Sequence, residues 1–126
     1  MSHFTEIKTE IRDAEALRDA CSELDLELLE NTEARGFNGA TRHGAFVIRL
    51  KGPYDIALNR NDGQTFSLST DWWNGHVEKE VGKNYGRLLQ AYGVHKATRE
   101  ARRRGYTVRR RQLKNGAVKL TIGGLS

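Results

Sequence analysis

The stretch that decides the fold class is residues 45–70, AFVIRLKGPYDIALNRNDGQTFSLST. Phe46, Ile48 and Leu50 alternate with Val47, Arg49 and Lys51. Tyr54, Ile56 and Leu58 alternate with Asp55, Ala57 and Asn59, and Phe66 and Leu68 alternate with Thr65, Ser67 and Ser69. A period of two places every second side chain on one face of a strand. Gly52-Pro53 turns the chain after the first run, and Asn61-Asp62-Gly63 is a hairpin signal after the second. Three strands joined this way form an antiparallel meander. One face is apolar and the other polar, as in a sheet covered on one side.

Upstream, Ile7, Thr9 and Ile11 alternate with Glu6, Lys8 and Glu10, which predicts a half-buried strand over residues 4–11. Asp13 suits a helix N-cap, because its carboxylate can accept from the free amides of a first turn. Leu17, Cys21 and Leu24 follow at helical spacing with Ala20 beside them, so residues 14–24 read as an amphipathic helix. Cys21 lies on its apolar stripe, the place of a packed thiol rather than a reactive one. Leu24, Leu26 and Leu28 restart the two-residue period and predict a strand over residues 26–33. Residues 36–44 are glycine-rich and read as a loop. Within it, Gly36-Phe37-Asn38-Gly39 has the G-x-x-G spacing of a backbone clamp on nucleic acid. Such a clamp joins two helices. Strands are predicted on both sides here, so a plain loop is expected.

Beyond Asp71-Trp72-Trp73-Asn74-Gly75-His76 the period becomes helical. Val81, Tyr85, Leu88, Leu89 and Tyr92 share one face, whereas Val94, Ala97 and Ala101 lie on nearly the opposite one. The phase jump falls at Gly93, which predicts a break or sharp bend there. The alternative is one continuous helix buried on both sides. Gly105 suits the residue just past a helix end. Tyr106 and Val108 open a strand, Lys114-Asn115-Gly116 turns it, and Val118, Leu120 and Ile122 form the last strand. The order β-α-β-β-β-β-α-α-β-β implies one α+β domain over residues 1–126, with helices on one face of a mainly antiparallel sheet.

The 126 residues suit one ordinary domain. Cys21 is the single cysteine, so no intrachain disulfide can form and a reducing compartment such as the cytoplasm is expected. No run approaches the roughly 20 apolar residues of a membrane helix. The opening Met1-Ser2-His3-Phe4-Thr5-Glu6 has no apolar core of a secretory signal, so neither membrane nor export is expected.

The net charge of +5 hides an asymmetry: residues 1–40 hold 4 basic and 10 acidic groups, whereas residues 81–126 hold 12 and 1. Two readings follow. The C-terminal third has an anionic partner, or the two ends are neighbours in the fold and partly neutralise each other.

The densest charge is residues 99–111, REARRRGYTVRRR. If Val94, Ala97 and Ala101 face inward, Lys96, Arg99 and Arg103 lie on the opposite, solvated side of the helix. Arg102, Arg103 and Arg104 fall in the last turn, where the helix dipole favours cations. On the next strand Arg109 and Arg111 share one face. Arg110 has the parity of Tyr106 and Val108 and should point toward the covered side, where it emerges at an edge, pairs with a carboxylate or snorkels. Lys96, Arg99, Arg103, Arg109, Arg110 and Arg111 are therefore the candidates for gripping an anionic partner. Tyr106 is the only aromatic among them, so base stacking has little support.

Asp71, Trp72 and Trp73 are the candidate contact with a partner protein. Asp71 suits capping of the turn that follows. Adjacent side chains point to opposite sides, so one tryptophan can be core while the other is at least partly exposed. Alternatively, both close the end of the core. Catalysis has little support. His3, His43, His76 and His95 lack short ligand spacing, Cys21 cannot build a zinc site alone, and no phosphate-loop or nucleophile motif occurs. No catalytic residue, metal or cofactor is expected.

The segments MSHFTEIKTEIRDAEAL, YDIALNR, DWW and AYGVHKATREARRRGY resemble a small family of conserved hypothetical proteins, one of the hypothetical chloroplast reading-frame families. Its members occur in cyanobacteria, red-algal plastids, other bacteria and some phages. The resemblance spans residues 1–122 and is sharpest in the Ser2-His3-Phe4 opening with the strand and helix after it. It implies a stand-alone domain, in the plastid stroma where organellar, associated with a small companion protein and an AAA-class ATPase. It supplies no catalytic residues. The arginine cluster near the C-terminus departs from many members. The expected function is a non-enzymatic binding module or adaptor in a protein assembly. The alternative is sequence-nonspecific nucleic-acid binding through the basic patch, and the oligomeric state is left open.

Overall fold

The computed structural model describes residues 3–125, so Ser2 of the opening motif lies outside them. Strands β1 (Thr5–Lys8), β2 (Glu27–Arg35), β3 (Thr41–Arg49), β4 (Ile56–Arg60) and β5 (Phe66–Thr70) form one sheet. Its order is β1-β5-β4-β3-β2 and every neighbouring pair is antiparallel. Helix α1 (Ala14–Glu23) connects one edge to the other; α2 (Glu78–Val81) and α3 (Gly86–Arg103) follow β5. Strands β6 (Tyr106–Gln112) and β7 (Val118–Leu125) then pair as a separate two-stranded ribbon. The fold is α+β in the expected element order.

The alternation in the meander builds the core. Ile48, Ile56, Leu58, Phe66 and Leu68 point to one face and meet Leu17, Ala20 and Cys21 of α1 and Leu88 and Tyr92 of α3. Burying each large apolar side chain favours folding by roughly 1.5–3 kcal/mol. Asp13 caps α1, its Oδ1 accepting from the amides of Glu15 and Ala16 at 2.9 and 3.2 Å. The Tyr92 hydroxyl accepts from the amides of Arg12 and Asp13, which ties α3 to that cap. Burial pushes the Cys21 thiol up to about 12, so it packs as a neutral group.

The structure corrects four details. The second face of the sheet is not left to solvent. Asn31 takes a left-handed φ of 51° inside β2, and the ribbon of β2 and β3 bends back over that face. Ala34 then packs on Val47 and Ala57, with Phe4 against them, as a small second core. In a straight ribbon Ala34 would lie roughly 17 Å beyond Leu29, the residue paired with Val47. Gly44 lies at the bend, where a Cβ would come within 2.3 Å of the Phe46 carbonyl oxygen.

The remaining corrections concern element limits. The loop expected over 36–44 shrinks to five residues, because β2 runs to Arg35 and β3 starts at Thr41. The first strand covers only Thr5–Lys8, and at this open edge Ile7 stays 41% exposed. Finally, α3 runs unbroken through Gly93. The break comes earlier, where Gly82, Asn84 and Tyr85 all have positive φ. A helix with two apolar stripes is satisfied here because it is covered twice. Leu88 and Tyr92 face the main core, and Val94 and Ala101 face the β6–β7 ribbon.

Candidate functional site

The fold brings the acidic α1 against the basic α3 and β6, and this divides the candidate cations into two groups. Lys96 Nζ lies 2.8 Å from Glu100 and 3.5 Å from Asp13. Arg99 is bidentate to Asp19, with Nη2 donating to Oδ1 at 3.1 Å. Arg110 is bidentate to Glu23, both bonds at 2.7 Å, and His95 Nε2 meets the same Glu23 Oε1 at 2.7 Å. Arg110 thus follows its strand parity toward the covered side and ends on a carboxylate. Paired planar forks of this kind are the strong form of charge-assisted hydrogen bond.

The protonation behaviour agrees. The Arg110 fork, followed by the His95 contact, outweighs burial and holds the Glu23 carboxyl down to about 2. Asp19 is held below its ordinary value by Arg99, against the opposing effect of burial. Lys96, Arg99 and Arg110 are each raised, first by their hydrogen-bonded carboxylates Glu100, Asp19 and Glu23. These three cations are each paired with a carboxylate of the same chain.

The second group is not. Among the described residues, no carboxylate lies within ion-pair distance of Arg103, Arg109 or Arg111, and all three are exposed. Arg102, Arg104 and Lys119 share that condition. Lys119 was missed in the sequence. Its signal is the alternation of Val118, Lys119, Leu120 and Thr121, but only the register, Arg111 opposite Lys119, joins it to the arginines.

The tryptophan turn is built on a buried acid. Asp71 is 1% exposed; its Oδ1 accepts from the Trp73 amide at 3.0 Å and its Oδ2 from the Phe37 amide at 3.2 Å. Asp71 therefore caps its own turn and also pins the tip of the bent ribbon. Trp72 turns inward against Tyr85, ring centroids 4.8 Å apart, whereas Trp73 is 49% exposed. Trp73 meets Phe37 edge-on at 5.9 Å, and Phe37 is itself exposed. The two tryptophans take opposite sides, one core and one surface. Phe37, read only as part of a loop, completes an exposed aromatic pair with a residue 36 positions later.

Among the described residues, no group of three or more His, Cys, Asp or Glu side chains is arranged to hold a metal ion. His76 lies edge-on to Tyr54 at 5.4 Å. No helix of the described chain is long and apolar enough to cross a membrane.

Comparison with known proteins places the chain. Residues 20–121 match the family described as "Protein of unknown function (DUF1257)". The chain belongs to this family. It is 27% identical over 126 residues to "Uncharacterized protein ycf35" of Guillardia theta, covering 97% of this chain and 96% of that relative. This agrees with the resemblance to the hypothetical chloroplast reading frames. No solved structure matches the chain. The matched span of the family takes in the last turn of α1, the tryptophan turn and the basic strand β6.

Proposed function

We propose that this protein is a non-enzymatic binding module, an adaptor within a protein assembly of the cytoplasm or plastid stroma. The observation that carries the reading is the aromatic pair Trp73 and Phe37. Both rings are exposed, and both backbones are fixed by the same buried carboxylate, Asp71. Large, rigid aromatic side chains are the usual anchors of protein–protein contacts, because they bury area at little cost in conformational entropy. The family resemblance points to an AAA-class ATPase as the partner.

Affinity purification from the native host tests this, with wild type and Trp73→Ala side by side and partners identified by mass. An ATPase of that class is expected with wild type and is lost with Trp73→Ala. The variant should stay folded with its urea midpoint only modestly lowered, since half of the removed side chain is solvated. Recovery of the wild-type protein alone under gentle conditions would count against an adaptor.

A second reading is favoured by the unpaired cations: sequence-nonspecific binding of nucleic acid through the C-terminal patch. Phosphate contacts supply affinity and steep salt dependence there. Absence of nucleic-acid binding at about 50 mM salt, where such contacts are strong, ends this reading.

A further inference from the structure

The nucleic-acid reading treats the basic patch as one surface, but the β6–β7 ribbon sorts it. The face toward α3 carries Val108, Arg110, Val118 and Leu120, with Arg110 neutralised by Glu23. The opposite face carries Arg109, Arg111, Lys119 and Thr121, all exposed. Arg111 stands directly across from Lys119, and Arg109 across from Thr121. Like charges directly opposite on paired strands are destabilising. Among the described residues no carboxylate relieves this pair. The same chain supplies Glu23 to Arg110 on the inner face, and Asp19 and Asp13 to Arg99 and Lys96 of α3.

We propose that the outer face of the β6–β7 ribbon, through Arg109, Arg111 and Lys119, binds the phosphates of double-stranded DNA. This rests on the nucleic-acid reading above and narrows it to one face and one form of nucleic acid.

Chemistry selects the partner. An acidic protein would need an apolar patch to bury at the centre of the contact, and this face offers none. Nucleic-acid interfaces are instead polar and strongly positive. Arg109 and Arg111 are spaced by two strand residues, roughly 6.6 Å, and Lys119 extends the set across the ribbon. That makes a flat array of point charges suited to a regular polyanion. Single strands are bound by aromatic platforms, and the outer face has no aromatic. A two-stranded ribbon fits the major groove of B-form DNA, about 12 Å wide, whereas the deep, narrow major groove of duplex RNA excludes it.

The test is fluorescence anisotropy with the full chain and a short mixed-sequence DNA duplex across a salt series. Duplex RNA, single-stranded DNA, poly-glutamate and phosphatidylserine vesicles serve as comparison probes. The variants are Arg109→Gln/Arg111→Gln/Lys119→Gln and, at the helix end, Arg102→Gln/Arg103→Gln/Arg104→Gln. Wild type should prefer duplex DNA. The ribbon variant should bind it on the order of tenfold more weakly, with the log–log salt slope flattened by about 2.7, three phosphate contacts at about 0.9 each. Its urea midpoint should hold or rise, because the Arg111–Lys119 repulsion is gone, so lost binding will not be lost folding.

If wild type binds no nucleic acid, the underlying reading fails and this proposal with it. If wild type binds DNA but the ribbon variant binds equally well, or the helix-end variant loses as much, the reading stands and the ribbon assignment is overturned. Preference for duplex RNA, single strands, poly-glutamate or vesicles overturns the choice of DNA.

Discussion

This protein has two ribbons, the bent end of β2 and β3 in the main sheet and the separate β6–β7 pair, and they are held in opposite ways. The tip of β2 and β3 folds back and is latched to a buried acid. Asp55 is fully buried; it accepts from the Arg35 amide at 2.9 Å, from the Leu50 amide at 3.1 Å, and from both sides of the Arg35 fork at 2.8 and 2.9 Å. Arg35 also donates to the carbonyls of Leu50 and Gly52. Burial alone would raise the Asp55 carboxyl, but Arg35 and the two amides hold it below its ordinary value. Among the described residues the β6–β7 ribbon has one comparable ion-pair tie, Arg110 to Glu23, and it is partly exposed. The difference teaches that the same local structure is structural where its charges point inward onto acids. Where they point out, the charges are left without an acid of the same chain among the described residues.

The contrast is broken most severely at Asp55. Asp55→Ala should cost about 2–3 kcal/mol, short of the full penalty for an orphaned buried pair because Arg35 is partly solvated. Urea unfolding measures the loss, and amide exchange should quicken first over residues 36–44. An unchanged midpoint would show that the Ala34, Val47 and Ala57 cluster and the Asp71–Phe37 bond hold the tip without the Asp55 latch.

Glu23→Gln should act on the other ribbon and cost about 1 kcal/mol. Amide protection should fall in β6 and β7 and stay intact in β4 and β5. Loss of protection throughout the sheet would mean that the ribbon is part of the main cooperative unit. The same pair gives a pH dependence with a defined sign. Glu23 titrates lower in the folded chain, at about 2 against 4.5 in the free side chain. Its stabilisation is therefore complete above pH 4.5 and is lost as pH falls toward 2. Glu23→Gln should remove that part of the acid transition.

The smallest expected effect has the opposite sign. Arg111→Thr removes the cross-strand repulsion with Lys119 and should stabilise the protein by about 0.2–1 kcal/mol at low salt. Added salt should shrink the gain, since exposed charges are screened. Destabilisation would mean that the Arg111 stem packs against its neighbours and contributes more than its charge takes away.

Local patterning was readable where it depends on near neighbours. The meander, the Asp13 cap, the packed Cys21 and the stop at Gly105 all follow from spacings of a few residues. So did the inward turn of Arg110, because parity on a strand needs only its own neighbours. At Gly93 the pattern allows a break or a continuous helix covered twice, and the structure takes the second, which local spacing does not favour because a helix with two stripes is unusual on a surface. Its second cover, the β6–β7 ribbon, comes later in the chain. The bend at Asn31 left no pattern, since a single left-handed residue does not disturb the alternation around it.

The sequence by itself determined the element order, the apolar face of the meander and the two candidate surfaces, because strand and helix periods are local consequences of backbone geometry. It did not determine which charges are free. That was decided by tertiary packing. Whether a cation is free depends on an acid 80 or more residues away, as for Arg99 with Asp19 and Arg110 with Glu23. Spacing along the chain carries no record of such a meeting. Only the register of β6 against β7 set Lys119 beside Arg111, and only the bent ribbon set Phe37 beside Trp73.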